Sequence, residues 1–383
     1  MNVSFFQELL NAVAEQGRQL LPWALGGQEN DIEAMSRALT SVRGEASGVA
    51  IAREIITLYR GLTGEQRRHF FEFMAREMQP DEAVAVAAAE AYARAPSREG
   101  LARLQGAVES PRQEFFRRLN LAPGATSEIV SMRRDLLRLP KAEPELAAVD
   151  LDLRHLLASW FNRGFLVLRR IDWQTPAAIL EKIIAYEAVH EIKGWDDLRR
   201  RLDPVDRRCF AFFHPSLVDE PLIFVEVALM DATPRAISSV LHEARKGDGE
   251  AQPTTAVFYS ISNCQDGLKG ISFGNFLIKQ VVEELARECP SLKTFVTLSP
   301  VPSFARWLDR FSAESGAGVL TPSDRRALAG LADPRWFDDP GEVTGLRGPL
   351  TALAAHYFLV ARSSDGRSID PVARFHLGNG ARI

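Results

Sequence analysis

Two predicted strands carry hydroxyl side chains that could contact a substrate. In the segment TAVFYSIS, the alternation of side chains along a strand puts Ser260 and Ser262 on one face. The segment KTFVTLS has the same pattern and ends at Ser299. Buried hydroxyl groups need hydrogen-bond partners, so two interpretations are open. Either both faces line a cleft, or the hydroxyls bond locally and serve packing alone.

Ser299 and His376 are the residues whose local sequence best suits a chemical role. Ser299 precedes Pro300, which ends the hydrogen bonding of a strand and keeps the preceding residue extended. We therefore expect Ser299 at the carboxyl end of a strand in a parallel pair, where ligands commonly bind. His376 lies between turn residues in the segment PVARFHLGNG, which predicts a loop histidine with the freedom to reach a site. From this pattern alone, a histidine without a role is the more common case.

A glycine-containing loop, 265–275, precedes the predicted helix 275–288. Its three glycines let backbone N–H groups converge, and the amino terminus of a helix favours negative charge. Pyrophosphate-binding segments have these properties, although simple turn formation explains most such loops. The spacing matches neither the mononucleotide P-loop nor the dinucleotide-binding motif. Residues 270–274 match G-x-S-x-G, but a nucleophile elbow needs its serine directly after a strand, and the strand here ends near Ser262.

The sequence predicts no metal site and no nucleic-acid partner. No two of the seven histidines have the spacing of metal ligands on one face, and Cys209, Cys264 and Cys289 lie far apart. Such cysteines are typical of thiols in a reducing cytosol. The net charge of -4 gives no electrostatic argument for binding nucleic acid. Among the other histidines, His214 is a minor candidate for the edge of a cleft.

The composition predicts a cytoplasmic protein. No run approaches the ~18 apolar residues of a membrane-spanning helix. The N-terminal segment MNVSFFQELLNAVAEQGRQLL is amphipathic, but it contains Glu8 and Glu15. These acidic residues fit neither a secretory signal nor an acidic-poor transit peptide.

The elements that must position these residues change in type along the 383-residue chain. Apolar residues at helical spacing fill the first 135 residues, and one helix is predicted to begin at Thr63, which has the spacing of a capping box. Prolines at 140 and 144 interrupt the helical pattern. Strands are predicted at 222–230, 255–262 and 293–299. A helix joins the last two strands, so they should be parallel.

Several separated segments resemble the malonyl-CoA decarboxylase family in the order that the family has them. They are FYSISNCQDGLKGISFGNFLIKQVVEEL, FVTLSPVPSFARWL and DPVARFHLGNGA, with EAVHEIKGWDDLRRRL and RRCFAFFHPSLVDEPLIFVEVAL upstream. The resemblance implies an α+β protein with a helical N-terminal bundle, 1–152, that drives homo-oligomerisation to a dimer or tetramer. It also implies a catalytic domain, 153–383, with the acyl-CoA-binding GNAT acyltransferase fold and a mixed sheet.

The resemblance also implies roles for particular residues. Ser299 and His376 match the catalytic serine and histidine of the family, and Ser260 matches a serine that contacts the substrate. The coenzyme A pyrophosphate segment of the family matches Lys269, Gly270, Ile271, Ser272, Phe273, Gly274 and Asn275. Ser272 stands where some members have an acidic residue. Members usually continue for some tens of residues beyond the position of Ile383, and we expect full activity to depend on that segment.

The expected function is conversion of malonyl-CoA to acetyl-CoA and CO2 without a cofactor, in fatty acid metabolism or malonate catabolism. The thioester carbonyl can accept the electron pair that CO2 leaves behind, and Ser299 or His376 would protonate C2. Two alternatives stay open. One is an N-acyltransferase of the same fold, for which Glu226 is the only strand carboxylate considered as a general base. The other is an acyl-CoA-binding protein without catalytic activity.

Overall fold

A computed structural model describes residues 31–41, 44–140, 144–241, 252–271, 276–314 and 320–383. The chain divides into two compact units. The first contains the described residues of Met1–Val227 together with Ile261–Glu284. The second contains the described residues of Ala228–Glu243, Glu250–Ser260 and Leu285–Ile383. The amphipathic N-terminal segment lies outside the described residues.

The described part of the first 160 residues is helical, as the apolar spacing predicts. The predicted capping box is present at Thr63, whose hydroxyl accepts a hydrogen bond from the backbone N–H of Gln66 while the Gln66 side chain accepts from the backbone N–H of Thr63. The helices are α1 (Ile32–Ser41), α2 (Glu45–Gly61), α3 (Gly64–Glu77), α4 (Glu82–Arg94), α5 (Arg98–Val108), α6 (Pro111–Leu119), α7 (Ala125–Arg138) and α8 (Pro144–Trp160).

Aromatic side chains form the centre of this helical region. Phe70 of α3 and Phe115 of α6 meet edge to face with their ring centroids 6.3 Å apart, and Phe115 and Phe116 do so at 5.2 Å. All three rings are at most 1% exposed. Edge-to-face pairs add about 0.5–1.5 kcal/mol to the free energy of burial, which fixes α3 against α6.

Five strands form one sheet in the order β1–β2–β3–β4–β5. β1 pairs with β2 in antiparallel orientation, and β4 pairs with β5 in parallel, so the sheet is mixed as predicted. The strands are β1 (Val167–Ile171), β2 (Arg207–Phe213), β3 (Pro221–Met230), β4 (Thr255–Asn263) and β5 (Thr294–Thr297). β3 and β4 lie at their predicted positions. β1 and β2 were not predicted, and β5 is shorter than the predicted strand 293–299.

Along the chain, two helices lie between β1 and β2. They are α9 (Ala177–Tyr186) and α10 (Trp195–Leu202). Together with β1, β2 and β3 they enclose an apolar core in the first unit, which includes Ile171, Ile179, Ile183, Leu198, Phe213 and Phe224. These helices therefore cover the part of the sheet that belongs to this unit. Among the described residues no helix is long and apolar enough to cross a membrane.

The second unit contains its own apolar clusters. One includes Val257 and Tyr259 of β4 with Val240 of the short helix α11 (Ile237–Leu241), and Val296 and Leu298 pack against it. Another cluster joins α13 (Phe304–Glu314), α14 (Pro322–Leu328) and α15 (Pro340–Leu359) through residues such as Leu308, Leu328 and Leu353. The remaining helices are α12 (Phe276–Glu288), between β4 and β5, and α16 (Pro371–Gly378).

Candidate active site

Ser299 and His376, which lie far apart in sequence, are in direct contact. The hydroxyl oxygen Oγ of Ser299 is 2.8 Å from Nε2 of His376, a hydrogen-bond distance in which the donor depends on the tautomer of the imidazole. Both residues are half-buried. The pair is therefore reachable by a ligand and has one hydrogen bond through which a proton can pass.

Ser299 lies two residues after the end of β5. The parallel pairing of β4 and β5 runs to Phe258 opposite Thr297, and the backbone N–H of Leu298 donates one more hydrogen bond to the carbonyl of Phe258 at 2.8 Å. β5 ends before Ser299, because Pro300 has no N–H to continue the ladder. The side chain of Ser299 thus lies beyond the carboxyl end of a parallel strand, as predicted.

His376 lies on helix α16, and the prediction of a loop histidine was wrong. Asp370 and Pro371 explain the helix. The Asp370 carboxylate oxygen Oδ1 accepts hydrogen bonds from the backbone N–H groups of Val372 and Ala373, each at 2.9 Å. Pro371 occupies the first turn, where its missing N–H has no consequence. A helix holds the imidazole in one direction more firmly than a loop does.

Asp370 is held in turn by Tyr357 of α15. The phenol of Tyr357 donates a hydrogen bond to the other carboxylate oxygen, Oδ2, at 3.1 Å, and the exposed fractions of Tyr357 and Asp370 are 0% and 1%. A buried carboxylate needs such partners, because removal from water otherwise costs several kcal/mol. The start of α16 is therefore bound to the middle of the second unit.

Tyr357 also packs against helix α13, which begins shortly after Ser299. Its ring centroid lies 5.4 Å from that of Phe304 in an edge-to-face arrangement and 4.9 Å from that of Trp307. One side chain thus contacts both the segment that follows Ser299 and the cap of the helix that carries His376. This arrangement fixes the distance between the two functional groups.

Burial changes the acidity of both ring systems in this cluster. Partial burial lowers the pKa of His376 below the ordinary histidine value, so the neutral imidazole predominates at pH 7. Burial and the hydrogen bond to Asp370 raise the pKa of Tyr357 to about 12, which keeps the phenol protonated as a donor. The pair therefore consists of a hydroxyl and a neutral imidazole.

The other two predicted hydroxyl positions, Ser260 and Ser262, are both buried. Ser260 is 1% exposed on β4, on the face opposite the cluster that contains Tyr259. Ser262 bonds locally, since its Oγ donates to Oε2 of Glu187 at 3.1 Å and accepts from the backbone N–H of Ala188 at 3.2 Å. For Ser262, local hydrogen bonding explains the buried hydroxyl.

Part of the predicted pyrophosphate-binding loop is described. A short 3-10 turn, Asp266–Leu268, leads into Lys269 and Gly270, which are exposed, and Ile271, which is buried. Gly270 has φ +78°, a conformation that favours glycine. The other predicted members of this loop, Ser272, Phe273, Gly274 and Asn275, lie outside the described residues.

Glu226 is fully buried in β3, with an exposed fraction of 0%. Oε2 of its carboxylate lies 3.1 Å from Nη1 of Arg201. Burial raises the pKa of Glu226 to about 8, although Arg201 opposes the shift. A side chain without exposure has no path to an amine acceptor, so this geometry fits a structural carboxylate and not a general base.

His214 is bonded on both ring nitrogens to the backbone. Nε2 donates to the carbonyl of Trp160 at 3.1 Å, while Nδ1 accepts from the N–H of Ser216 at 3.1 Å. These partners explain a histidine that is 7% exposed. Across the described ranges, no group of three or more histidine, cysteine or acidic side chains is arranged to hold a metal ion.

Two family models match most of the chain. The model of the malonyl-CoA decarboxylase N-terminal domain matches residues 78–161, and that of the malonyl-CoA decarboxylase C-terminal domain matches residues 164–383. The second match includes Ser260, Ser299, His376 and the loop 269–275.

Similar whole proteins carry the same family name. The chain is 35% identical to goose (Anser anser anser) mitochondrial malonyl-CoA decarboxylase, over 86% of this chain and 72% of the relative. It is 34% identical to the mouse protein of that name over 73% of this chain, and it spans only 61% of the mouse protein's length. A crystal structure of malonyl-CoA decarboxylase from Rhodopseudomonas palustris is 54% identical, with a TM-score of 0.87 over 93% of this chain and 86% of that one.

Replacing Tyr357 with Phe tests how α16 is held. The variant removes the hydrogen bond to a buried carboxylate, so we expect the free energy of unfolding to fall by about 1.5–3 kcal/mol. We also expect faster amide hydrogen exchange in α16 than in the wild type. Urea unfolding and hydrogen exchange measured by mass spectrometry provide both quantities.

Tyr59→Phe is the matched control, because the phenol of Tyr59 donates to the Asp135 carboxylate at 3.2 Å in the helical region. This control should lose stability and leave exchange in α16 unchanged. Unchanged exchange of α16 in Tyr357→Phe would contradict the assignment.

Proposed function

Because this chain belongs to the malonyl-CoA decarboxylase family, we propose that it is a carboxy-lyase that converts malonyl-CoA to acetyl-CoA and CO2, with Ser299 and His376 at the active site. The observation that carries the proposal is the 2.8 Å contact between the Ser299 hydroxyl and the His376 imidazole at the end of β5. Both residues lie within the match to the C-terminal domain of the family.

The reaction requires little beyond positioning and one proton. When the bond between C2 and the carboxylate of the malonyl group breaks, CO2 leaves and the electron pair stays on C2 as a thioester enolate. A hydrogen bond to the thioester oxygen stabilises this enolate, and one proton added to C2 gives the acetyl group. The sum is malonyl-CoA plus one proton giving acetyl-CoA plus CO2. The thioester itself accepts the electrons, so we propose that no cofactor takes part.

Ser299 and His376 supply these needs as one unit in the proposed mechanism. Their shared hydrogen bond lets a proton that leaves one atom be replaced through the other. Because His376 is partly exposed, solvent can return the proton that each turnover consumes. The pair thus combines a hydrogen-bond donor for the thioester oxygen with a proton source for C2.

The neutral state of His376 is part of this proposal. A cation beside the substrate would stabilise the malonyl carboxylate and hold back its departure, because charge is lost from that group in the transition state. Partial burial lowers the pKa of His376, which makes the cation the minor form at pH 7. The imidazole can still donate a hydrogen bond from its protonated nitrogen.

We assign substrate-binding roles to Ser260 and to the loop 269–275. Ser260 lies on β4 two residues beyond Phe258, where the pairing with β5 ends, and we propose that it contacts the malonyl group. Lys269 is exposed and cationic, and the left-handed Gly270 exposes its backbone, as a pyrophosphate site requires. We propose that Ile271, Ser272, Phe273, Gly274 and Asn275 complete the coenzyme A segment.

The proposed domain division is a helical domain, 1–152, and a GNAT-type acyltransferase fold, 153–383. Separate family models for 78–161 and 164–383 support a boundary in this region. Two observations support this fold. β4 and β5 pair in parallel with α12 between them in the chain, and β5 stops at Thr297 while β4 continues to Asn263.

We also propose a cytoplasmic location. Three cysteines without a disulfide suit this location, which cell fractionation tests.

Ser299→Ala and His376→Ala should each lower kcat for CO2 release from malonyl-CoA by about 10²-fold or more, as expected for loss of a proton-transfer group. KM for malonyl-CoA should change less. Ser291→Ala and His356→Gln are matched controls in the same unit and should keep wild-type kcat. A variant of Ser299 or His376 that retains wild-type kcat would remove that residue from the site.

The pH dependence of kcat tests the neutral state of His376. Its pKa is lowered in the folded protein, so the active neutral form is present at pH 7 and is lost as the pH falls through that pKa. We expect an acid limb with its midpoint below the ordinary histidine value of about 6.5. The His356→Gln control should show the same limb. A rate that rises as the pH falls through this range would mean that the imidazolium is the active form.

We also propose that the protein is a homo-oligomer and that α4 and α5 form its interface. α4 buries no residue, and Val84, Val86 and Val108 on these helices are 51–53% exposed. A second copy of the chain would cover this surface. The double variant Val84→Glu/Val86→Glu should lower the molar mass measured by light scattering, while Val205→Glu, also at an exposed valine, should not. A wild-type mass of one chain contradicts the proposal.

A further inference from the structure

The 3-10 turn Asp266–Leu268 lies directly on the backbone of helix α7. A Cβ atom at Gly267 would stand 1.9 Å from the carbonyl oxygen of Val130, a distance that no side chain can occupy. Gly267 is buried, and only a residue without a side chain permits this approach. The turn that leads into Lys269 therefore uses the helical region of the same unit as its support.

Arg133 of α7 joins the turn to the helices. Its Nη1 donates a hydrogen bond to the carbonyl oxygen of Gly267 at 2.6 Å, and its Nε donates to Oδ1 of Asp150 on α8 at 2.7 Å. Arg133 is 1% exposed, so its bond to Gly267 is shielded from water, while the Asp150 side chain is 25% exposed. The guanidinium thus holds α7, α8 and the turn together in a fixed fork geometry.

The support extends from Gly267 to the exposed residues of the loop. Within the turn, the N–H of Lys269 donates to the carbonyl of Asp266 at 3.1 Å, and that of Ile271 to the carbonyl of Leu268 at 3.0 Å. Leu268 and Ile271 are buried at 3% and 8% exposure, while Lys269 between them faces solvent. The backbone on both sides of Lys269 is fixed, so its exposed position depends on the turn below it.

A second contact between α7 and the turn contributes little to holding the turn in place. Nη2 of Arg138 lies 3.3 Å from Oδ2 of Asp266, but both side chains are about two-thirds exposed. Pairs of this kind contribute about 0–1 kcal/mol because water screens them. The position of the turn therefore depends on Arg133 and on the close approach of Gly267 to α7.

We propose that Arg133 is a positioning residue for coenzyme A binding, and that the helical region contributes to substrate affinity through it. This inference rests on the proposed coenzyme A-binding role of Lys269 and Gly270, the exposed described residues that follow the turn. A loop that is held in its binding conformation loses less conformational entropy when a ligand binds. Arg133 touches no reacting group, so its loss should weaken binding of the thioester and leave the chemical step unchanged.

Arg133→Met tests the proposal, because methionine keeps an apolar stem and removes both hydrogen bonds. We expect KM for malonyl-CoA and Kd for acetyl-CoA, measured by calorimetry, to rise about tenfold, with kcat within about twofold of wild type. KM and Kd of Arg133→Lys should lie between those of the wild type and those of Arg133→Met, because the ammonium group can replace only part of the hydrogen bonding of the guanidinium. The full chain is used throughout.

Arg112→Met is the matched control. Arg112 is 4% exposed, and it bonds Asp152 at 2.8 Å and the carbonyl of Met74 at 3.1 Å, so it joins helices as Arg133 does without a bond to the loop. It should lower the melting temperature and leave KM and Kd unchanged. If Arg133→Met does not fold, Arg133→Lys and Asp150→Asn test the same bonds with smaller losses.

The outcomes separate this inference from the proposed function. Equal Kd values for the Arg133 variants and the Arg112 control would overturn the inference, even if the wild type releases CO2. Failure of the wild type to release CO2 would overturn the proposed function, and Kd for acetyl-CoA would still decide the role of Arg133. A wild type that binds no acetyl-CoA overturns both.

Discussion

The position of the Ser299–His376 pair depends on the hydrogen bonds of one buried carboxylate, that of Asp370. It caps the helix that carries His376 and accepts the phenol hydrogen of Tyr357, while the ring of Tyr357 packs against the helix that follows Ser299. A buried carboxylate needs such partners, because removing its charge from water without them costs several kcal/mol. The requirement to satisfy one charge therefore fixes two segments that are distant in sequence at hydrogen-bond distance.

Buried charged side chains also join separate segments in the first unit, but here the buried charge is positive. There buried guanidinium groups, those of Arg112 and Arg133, satisfy carbonyl oxygens at places where helices or loops meet, and each also binds an aspartate. Such groups contribute less to net stability than to the choice of one arrangement, because a shifted segment leaves a buried charge without a partner. On this account the Ser299–His376 pair and the turn that leads into Lys269 are each positioned by a buried charge outside the residues that we propose to contact the substrate.

Local patterns predicted those parts of the structure that local interactions determine. The capping box at Thr63 and the parallel pair β4–β5 followed from spacing and chain length alone, whereas the last strand ends two residues before the predicted Ser299. Asp370-Pro371 is an equally local signal for the start of a helix, although the turn residues around His376 favour a loop. The family resemblance, and not the pattern, selected Ser299 and His376 from among the other hydroxyls and histidines.

The parts of the structure that depend on contacts between distant residues have no local sequence pattern that predicts them. β1 has two exposed arginines in its middle and lacks the alternation of a half-buried strand. Arg133 and Gly267 are 134 positions apart, and neither the arginine nor the glycine is unusual in its own segment. Tyr357 likewise lies in a helix whose sequence gives no indication that its phenol binds the cap of another helix. These residues become visible only when the chain is folded.

Mass spectrometry of the products formed from malonyl-CoA tests the central claim most directly. The reaction would be run on the wild-type chain with primary amines present, and CO2, acetyl-CoA, free coenzyme A and acylated amine would be measured together. The account predicts acetyl-CoA and CO2 in equal amounts, with the thioester intact. Free coenzyme A with an acylated amine would contradict it and favour an acyltransferase. Bound malonyl-CoA that is recovered unchanged would also contradict it, and would favour a binding protein without catalytic activity.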